Sequence, residues 1–153
     1  MALRIRGIFE HTVDDKGRVS LPLRFREALQ LGEGDRVIIA NFATKTSRCL
    51  DVYTEAVWER LEESMSARPQ FGQVVMHFLN YYMATAQECS IDKQGRILLT
   101  QQLRDYAGLK RDIIFTSALN KFRIWDREQW SREFATSERV FIEHPEILDG
   151  LRL

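Results

Sequence analysis

A chain of 153 residues is long enough for one ordinary domain or two small fused ones. With 44% hydrophobic and 29% charged residues it has the composition of a folded, water-soluble protein, which excludes a disordered or fibrous chain. Its 22 basic and 22 acidic residues cancel, so a uniformly cationic nucleic-acid binder is excluded and only a local basic patch is left as a route to phosphate.

Arg4 to Val13 reads as an extended strand and Asp14 to Gly17 as a turn, with Gly17 free to take positive φ. Val19 to Leu21 is a short strand. Pro22 suits the first position of a helix over Leu23 to Leu29, which Gly32 and Gly34 end. Arg36 to Ala40 and Cys49 to Tyr53 are strands on either side of a polar loop. Thr54 caps a helix to about Ser66, with Val57, Trp58, Leu61 and Met65 on one face, and Arg68-Pro69 breaks it. Phe71, Val74, Val75, Phe78, Leu79, Tyr82 and Met83 then recur at spacings of three and four, the pattern of a helix-packing surface that joins two halves. Ala84 to Ile91 is a strand, Asp92 to Gly95 a turn and Arg96 to Leu99 a strand. Thr100 caps a helix over Gln101 to Ala107 that stops at Gly108. Asp112 to Thr116 and Lys121 to Trp125 are strands, and Asp126 caps a helix through Phe134. Beyond Ser137 lies a short apolar patch, Val140-Phe141-Ile142, expected to pack back, bind a neighbour or fray.

The second half restates the first. Asp14-Asp15-Lys16-Gly17-Arg18 and Asp92-Lys93-Gln94-Gly95-Arg96 are two copies of one turn, 78 residues apart. At that offset Glu10/Glu88, Leu21/Leu99, Arg26/Arg104 and Leu31/Leu109 are also identical. After loop deletions Leu50-Asp51-Val52-Tyr53 matches Phe122-Arg123-Ile124-Trp125, and Trp58 matches Trp130. A unit of about 45 residues rarely buries enough core alone, so the two copies are expected to cover each other in a pseudo-twofold, barrel-like domain with helices at its edges.

Two readings of the turns stand side by side. In one, the aspartate only holds its own turn and pairs with the arginine four residues on, a surface pair worth about 0–1 kcal/mol. In the other, the aspartate braces the arginine as a fork for guanine edges or phosphate, and Lys16 and Lys93 add phosphate charge. Arg4, Arg6 and Arg24 are close in sequence to the first turn and are further candidates for phosphate contact. From Met1 to Arg36 there are seven basic and six acidic residues, so one copy grips weakly and several must act together.

Val13-Asp14-Asp15-Lys16-Gly17-Arg18-Val19-Ser20-Leu21-Pro22 and Ile91-Asp92 through Arg96-Ile97-Leu98-Leu99 resemble the two signatures of the MraZ family, bacterial regulators with tandem SpoVT-AbrB-type domains. Arg6-Gly7, Tyr53 to Trp58 and Asn120-Lys121-Phe122 add to the resemblance, which spans nearly the whole chain. It implies an α+β, mostly β fold, with two AbrB-like repeats forming a pseudo-twofold swapped-hairpin β-barrel and flanking helices. The divisions are repeat one over 7–54, connecting helices over 55–82, repeat two over 83–126 and a C-terminal helix and tail over 127–153. The resemblance also implies ring-shaped homo-oligomers that bind short direct repeats of double-stranded DNA. The site is the promoter of the division and cell-wall gene cluster, which the regulator usually represses together with its own gene. Carried over, Arg18 is the main DNA-contacting position with Asp14 orienting it, and Arg96 and Asp92 are the second-copy equivalents. Gln94 stands where the first copy has Lys16, and Thr100 where it has Pro22, so the first copy is weighted as the principal reader.

The competing classes are a non-catalytic ring-forming scaffold with protein partners, suggested by zero net charge and the Phe71 to Met83 stripe, and an enzyme. His11, His77 and His144 sit in different segments without partners at ligand spacing, and no phosphate-binding loop, nucleophile elbow or dinucleotide fingerprint occurs. Catalysis, a metal and a cofactor are therefore not expected. Cys49 and Cys89 form no metal-type pair and read as reduced thiols. No stretch approaches the ~20 apolar residues needed to span a bilayer. The start, Met1 to Arg6, lacks a signal-peptide core. The expected location is the cytoplasm, on the nucleoid.

Overall fold

The structure, a computed structural model, describes residues 5–69 and 72–152. Eight strands and five α-helices follow in the order β1 (Ile8–Thr12), β2 (Arg18–Ser20), α1 (Leu23–Leu29), β3 (Arg36–Ala43), β4 (Arg48–Thr54), α2 (Glu55–Ser66), α3 (Gln73–Phe78), β5 (Gln87–Ser90), β6 (Arg96–Leu98), α4 (Gln101–Ala107), β7 (Asp112–Ala118), β8 (Lys121–Asp126) and α5 (Arg127–Glu143). A π-helical turn, Leu79–Met83, extends α3, and a 3₁₀ segment, Pro145–Gly150, comes after α5.

The repeats exchange strands. Six strands form one antiparallel sheet in the order β1-β7-β8-β4-β3-β5, so β1 of the first half adds to the second half's hairpin and β5 of the second adds to the first half's. The two remaining strands, β2 and β6, pair with each other as a separate antiparallel ribbon, to which Val13 adds a bridge at Val19. A pseudo-twofold axis relates the halves. In the ribbon Val19 faces its own equivalent Ile97, while Arg18 faces Leu98 and Ser20 faces Arg96. In the sheet Leu50 faces Ile124 and Val52 faces Phe122, which brings the equivalent residues Asp51 and Arg123 opposite one another on the axis.

The sheet and ribbon do not close into a continuous barrel. They sandwich a core of Val19, Leu21, Phe25, Ile97, Leu99 and Leu103 from the ribbon side and Val37, Ile39, Leu50, Val52, Ile113, Phe115, Phe122 and Ile124 from the sheet. Helices cover the sheet's other face: Ile38, Ala40 and Tyr53 meet Val57, Trp58 and Tyr82, and Trp125 meets Trp130. Burial on both faces explains why Val37-Ile38-Ile39-Ala40 is apolar without alternation.

On the outer face Asp51, fully buried, accepts from Arg123 Nε at 2.7 Å and from the Tyr82 hydroxyl. Arg123 lies over the Phe42 ring, 4.3 Å from its centroid. Tyr82 and Tyr53 share a further hydroxyl hydrogen bond.

Several element bounds differ from expectation. β1 begins at Ile8 and β5 at Gln87, because Ala84 and Thr85 continue the turn that closes the π-helical segment. Pro22 stands just before α1, and that helix ends with Gln30 at φ 54, the position Gly108 fills at φ 62 in the second copy. The α5 helix runs on to Glu143, nine residues past Phe134, because nothing in that stretch breaks a helix before Pro145. The apolar stripe is only partly packed: Phe78, Tyr82 and Met83 meet the sheet, Val74 is exposed, and Phe71 lies outside the described residues. Among the described residues no helix is long and apolar enough to cross a membrane.

Candidate nucleic-acid interface

Both turns are built by one carboxylate each. Asp14 Oδ1 accepts from the backbone N–H of Lys16 and of Arg18, both at 2.9 Å, and Oδ2 accepts from Arg18 Nε at 2.6 Å. Asp92 repeats this with the N–H of Gln94 and of Arg96, both at 2.9 Å, and with Arg96 Nε, also at 2.9 Å. These donors hold both carboxyls below the usual carboxylate range, Asp14 at about 2. The largest cause in each is the amide of the following arginine, with desolvation opposing it and the guanidinium next. A carboxylate anchored to two amides cannot swing away, so each arginine is fixed at Nε while its two terminal nitrogens point onward.

Glycine is required at the fourth turn position. Gly17 has φ +86 and Gly95 φ +75. A Cβ on Gly17 would lie 2.8 Å from Leu99 O and 2.9 Å from Arg104 Nε, and one on Gly95 would lie 2.5 Å from Arg26 Cζ. Each turn therefore rests on the other copy's helix. Arg26 and Arg104 bond to Leu21 O and Leu99 O and sit beneath the opposite turn, and Leu21 N and Leu99 N donate to Gly95 O and Gly17 O.

The ribbon sets both arginines on one outward face. Val19 and Ile97 point into the core, while Arg18, Ser20, Arg96 and Leu98 point out. Arg18 and Arg96 are diagonal neighbours across the strand pair, a relation that sets such positions about 7–8 Å apart. The side chain of Arg18 is 35% exposed and that of Arg96 28%. Among the described residues the terminal nitrogens of Arg18 have no hydrogen-bond partner, whereas Arg96 Nη2 donates to Gln94 Oε1 at 3.4 Å. The first copy thus presents the more available guanidinium. Next to it stands Leu98, an apolar side chain 55% exposed on a polar face.

Of the other expected residues, Lys16 and Lys93 are exposed at the two turns, which lie at opposite ends of the ribbon. Arg24 is exposed on α1, which begins at the Gly95 end, so it belongs beside the second turn rather than the first. Arg6 is exposed ahead of β1, at the end of that strand away from the turn, and is not brought to the ribbon. Arg4 lies outside the described residues.

Sequence proximity misses a second basic group. The strand exchange lays the α4–β7 loop against the first turn, where Val13 N donates to Arg111 O at 2.8 Å. A groove there is lined by Asp14, Asp15, Arg104, Lys110 and Arg111. At the other end Ile91 N donates to Asp35 O at 2.9 Å, so Asp35 occupies the place of Arg111. The only signal in the sequence was that Leu31 and Leu109 are equivalent and that the residues after them differ in charge.

A ribbon that carries two braced guanidiniums can engage planar anions or the acceptor pair of a base edge. A family profile described as "MraZ protein, putative antitoxin-like" matches residues 5–75 and 82–150, one block for each half. The transcriptional regulator MraZ of Caldanaerobacter subterraneus subsp. tengcongensis is 34% identical over 149 residues, 97% of this chain and 99% of that protein. The transcriptional regulator MraZ of Caldicellulosiruptor saccharolyticus is 39% identical over 129 residues, 84% of this chain and 85% of that protein. That of Heliobacterium modesticaldum is 40% identical over 127 residues, covering 82% and 83%. With two matched blocks and relatives aligned over almost their full length, the chain belongs to the MraZ family.

Proposed function

We propose that the protein is a sequence-specific, double-stranded-DNA-binding transcriptional regulator, not an enzyme, and that the β2–β6 ribbon is its reading surface. The observation that carries this is the pair of Asp-braced arginines on one outward face of a two-stranded ribbon, an element of the width a major groove admits. The relatives' name, transcriptional regulator, supports the same reading. Arg18 meets a guanine edge or a phosphate as a fork, Asp14 holds it, and Lys16 adds backbone charge. Arg96, Asp92 and Lys93 do the same at the second end, with Arg24 as a nearby phosphate contact. Leu98 gives a thymine methyl an apolar surface beside Arg18.

One ribbon is small, so affinity comes from several copies acting together on short direct repeats in the promoter of the division and cell-wall genes and of the regulator itself, which it represses on the nucleoid. The assembly is a ring of identical chains. Exposed Phe134, Phe141, Ile142 and Ile147 on α5 and the segment after it support self-association. The chain divides for this purpose into repeats over 7–54 and 83–126, joined by 55–82 and followed by 127–153.

The test is Arg18→Ala in a gel-shift on the chain's own upstream DNA. Binding is expected to vanish while the melting temperature stays nearly unchanged, since an exposed ion pair contributes about 0–1 kcal/mol. A variant that melts early and still binds would reduce the turn to a folding device. A wild-type chain that shows no retarded band at low salt, yet a high-mass peak in light scattering, would favour the scaffold.

A further inference from the structure

The two ends of the ribbon are equivalent in backbone, but the loops that face them are opposite in charge. At the first turn the facing loop carries Lys110 and Arg111; at the second the loop in the same place carries Glu33 and Asp35. All four side chains are exposed, so none is committed to the core. Their fixed points are backbone atoms: Arg111 O and Asp35 O take the N–H of Val13 and Ile91, and the side chains are left to the solvent. Asp35 additionally accepts from Gly32 N at 2.8 Å, which holds its loop and keeps the acidic group in position. Lys110 approaches Glu128 at 3.3 Å, but both side chains are about 70% exposed, and such a pair exchanges readily for another anion.

We infer that the groove between the first turn and the α4–β7 loop, which Arg104 also lines, is a DNA-phosphate site formed by Lys110 and Arg111, and that the second end has no counterpart. The inference rests on the ribbon being the DNA-reading surface. It makes the ribbon directional: one phosphate strand is held more strongly where Arg18 reads, and near the second turn Glu33 and Asp35 offset the charge that Lys93 and Arg24 supply. Within the groove Asp14 is occupied by Arg18 and the amides, so it does not neutralise the lysine and arginine opposite. Asp15 is the remaining acidic group on the turn and lessens the local charge without cancelling it. Phosphate contacts position a protein without carrying sequence information. The site therefore supplies affinity and orientation, and Arg18 supplies discrimination.

The experiment measures DNA affinity against salt for the full chain, on its own upstream duplex and on a scrambled duplex. Lys110→Glu with Arg111→Asp is expected to weaken both complexes by about tenfold or more, to lower the slope of log K against log salt by about 2, and to leave the ratio between the duplexes unchanged. Arg60→Glu with Arg68→Glu, which changes net charge equally on and just after α2, is expected to leave the slope in place. An unchanged slope in the loop variant, an equal fall in the α2 variant, or a loss confined to the specific duplex would each overturn the site. Circular dichroism melts check that the loop variant is folded; should it not be, Lys110→Ala alone is expected to lower the slope by about 1, and no change there would count against the site. If the wild-type chain binds neither duplex, or Arg18→Ala binds as the wild type does, the DNA-reading proposal itself has failed, which is a different result from a lost phosphate contact.

Discussion

Replacing Arg123 with alanine removes the guanidinium that neutralises a fully buried carboxylate. Asp51 has no exposed surface, and its Oδ1 lies 2.7 Å from Arg123 Nε. Breaking a buried ion pair from one side costs about 3–5 kcal/mol, because the remaining charge keeps its desolvation cost and loses its partner. Two features place this case near the lower end. The Arg123 side chain is 25% exposed, so water can enter the vacated space, and the Tyr82 hydroxyl still donates to Oδ2. A loss of about 3 kcal/mol in a chain of this size lowers the melting temperature by about 6–12 °C. Urea titration and thermal melts of Arg123→Ala measure it. Removing both charges, with Asp51→Leu and Arg123→Met, is expected to recover most of the loss, since apolar replacements of a buried pair are often neutral or better. A single variant that melts within 2 °C of the wild type (roughly 1 kcal/mol), or a double variant no more stable than the single one, would refute the reasoning.

The turns and the ribbon give further measurable outcomes. Asp14, held at about 2 rather than at its ordinary value near 3.8, is expected to titrate near pH 2 by carboxyl NMR. Its folded value is depressed, so its stabilising contribution is complete above about pH 4 and is lost as pH falls through 2; a midpoint at or above 3.8 would show that the brace does not form in solution. Gly17→Ala, which forces a side chain into positive φ and against Leu99 O, is expected to cost about 1–3 kcal/mol in chemical denaturation, and an unchanged midpoint would contradict the cross-copy packing. Leu98→Ser copies the first strand's residue onto the second strand. The wild type is expected to bind a duplex with uracil in place of thymine several-fold more weakly than the normal duplex, while the variant treats both alike; equal sensitivity in both proteins would remove Leu98 from base reading.

Much of this architecture was legible in local patterns. The caps at Thr54, Thr100 and Asp126 all accept amide hydrogen bonds from their helices, because a side-chain acceptor at a helix start acts over three residues. The duplicated turns were legible for the same reason, since the bonds from each aspartate that shape them lie within five residues. Strand partnership was not. Nothing within Ile8–Thr12 tells that it pairs with β7 rather than with its own copy's strands, because that choice is made by a contact about a hundred residues away. Arg24 and Arg6 were grouped with the first turn by proximity in the chain, and the exchange moves α1 to the second turn and leaves Arg6 at the far end of β1. The same exchange hid Lys110 and Arg111, which belong to the second copy in sequence and to the first turn in space. Gln30 in the left-handed region was also unreadable, since only the geometry of the helix end, not the residue, demands it.

The axial position of Asp51 and Arg123 bears on why the two halves work as one chain. Were either half to dimerise with a replica of itself, the axis would set carboxylate against carboxylate or guanidinium against guanidinium at a largely buried position. Mixed pairing alone yields a neutral centre. With opposite charges at this position each half is matched to the other rather than to itself, and the covalent link supplies the two in equal number.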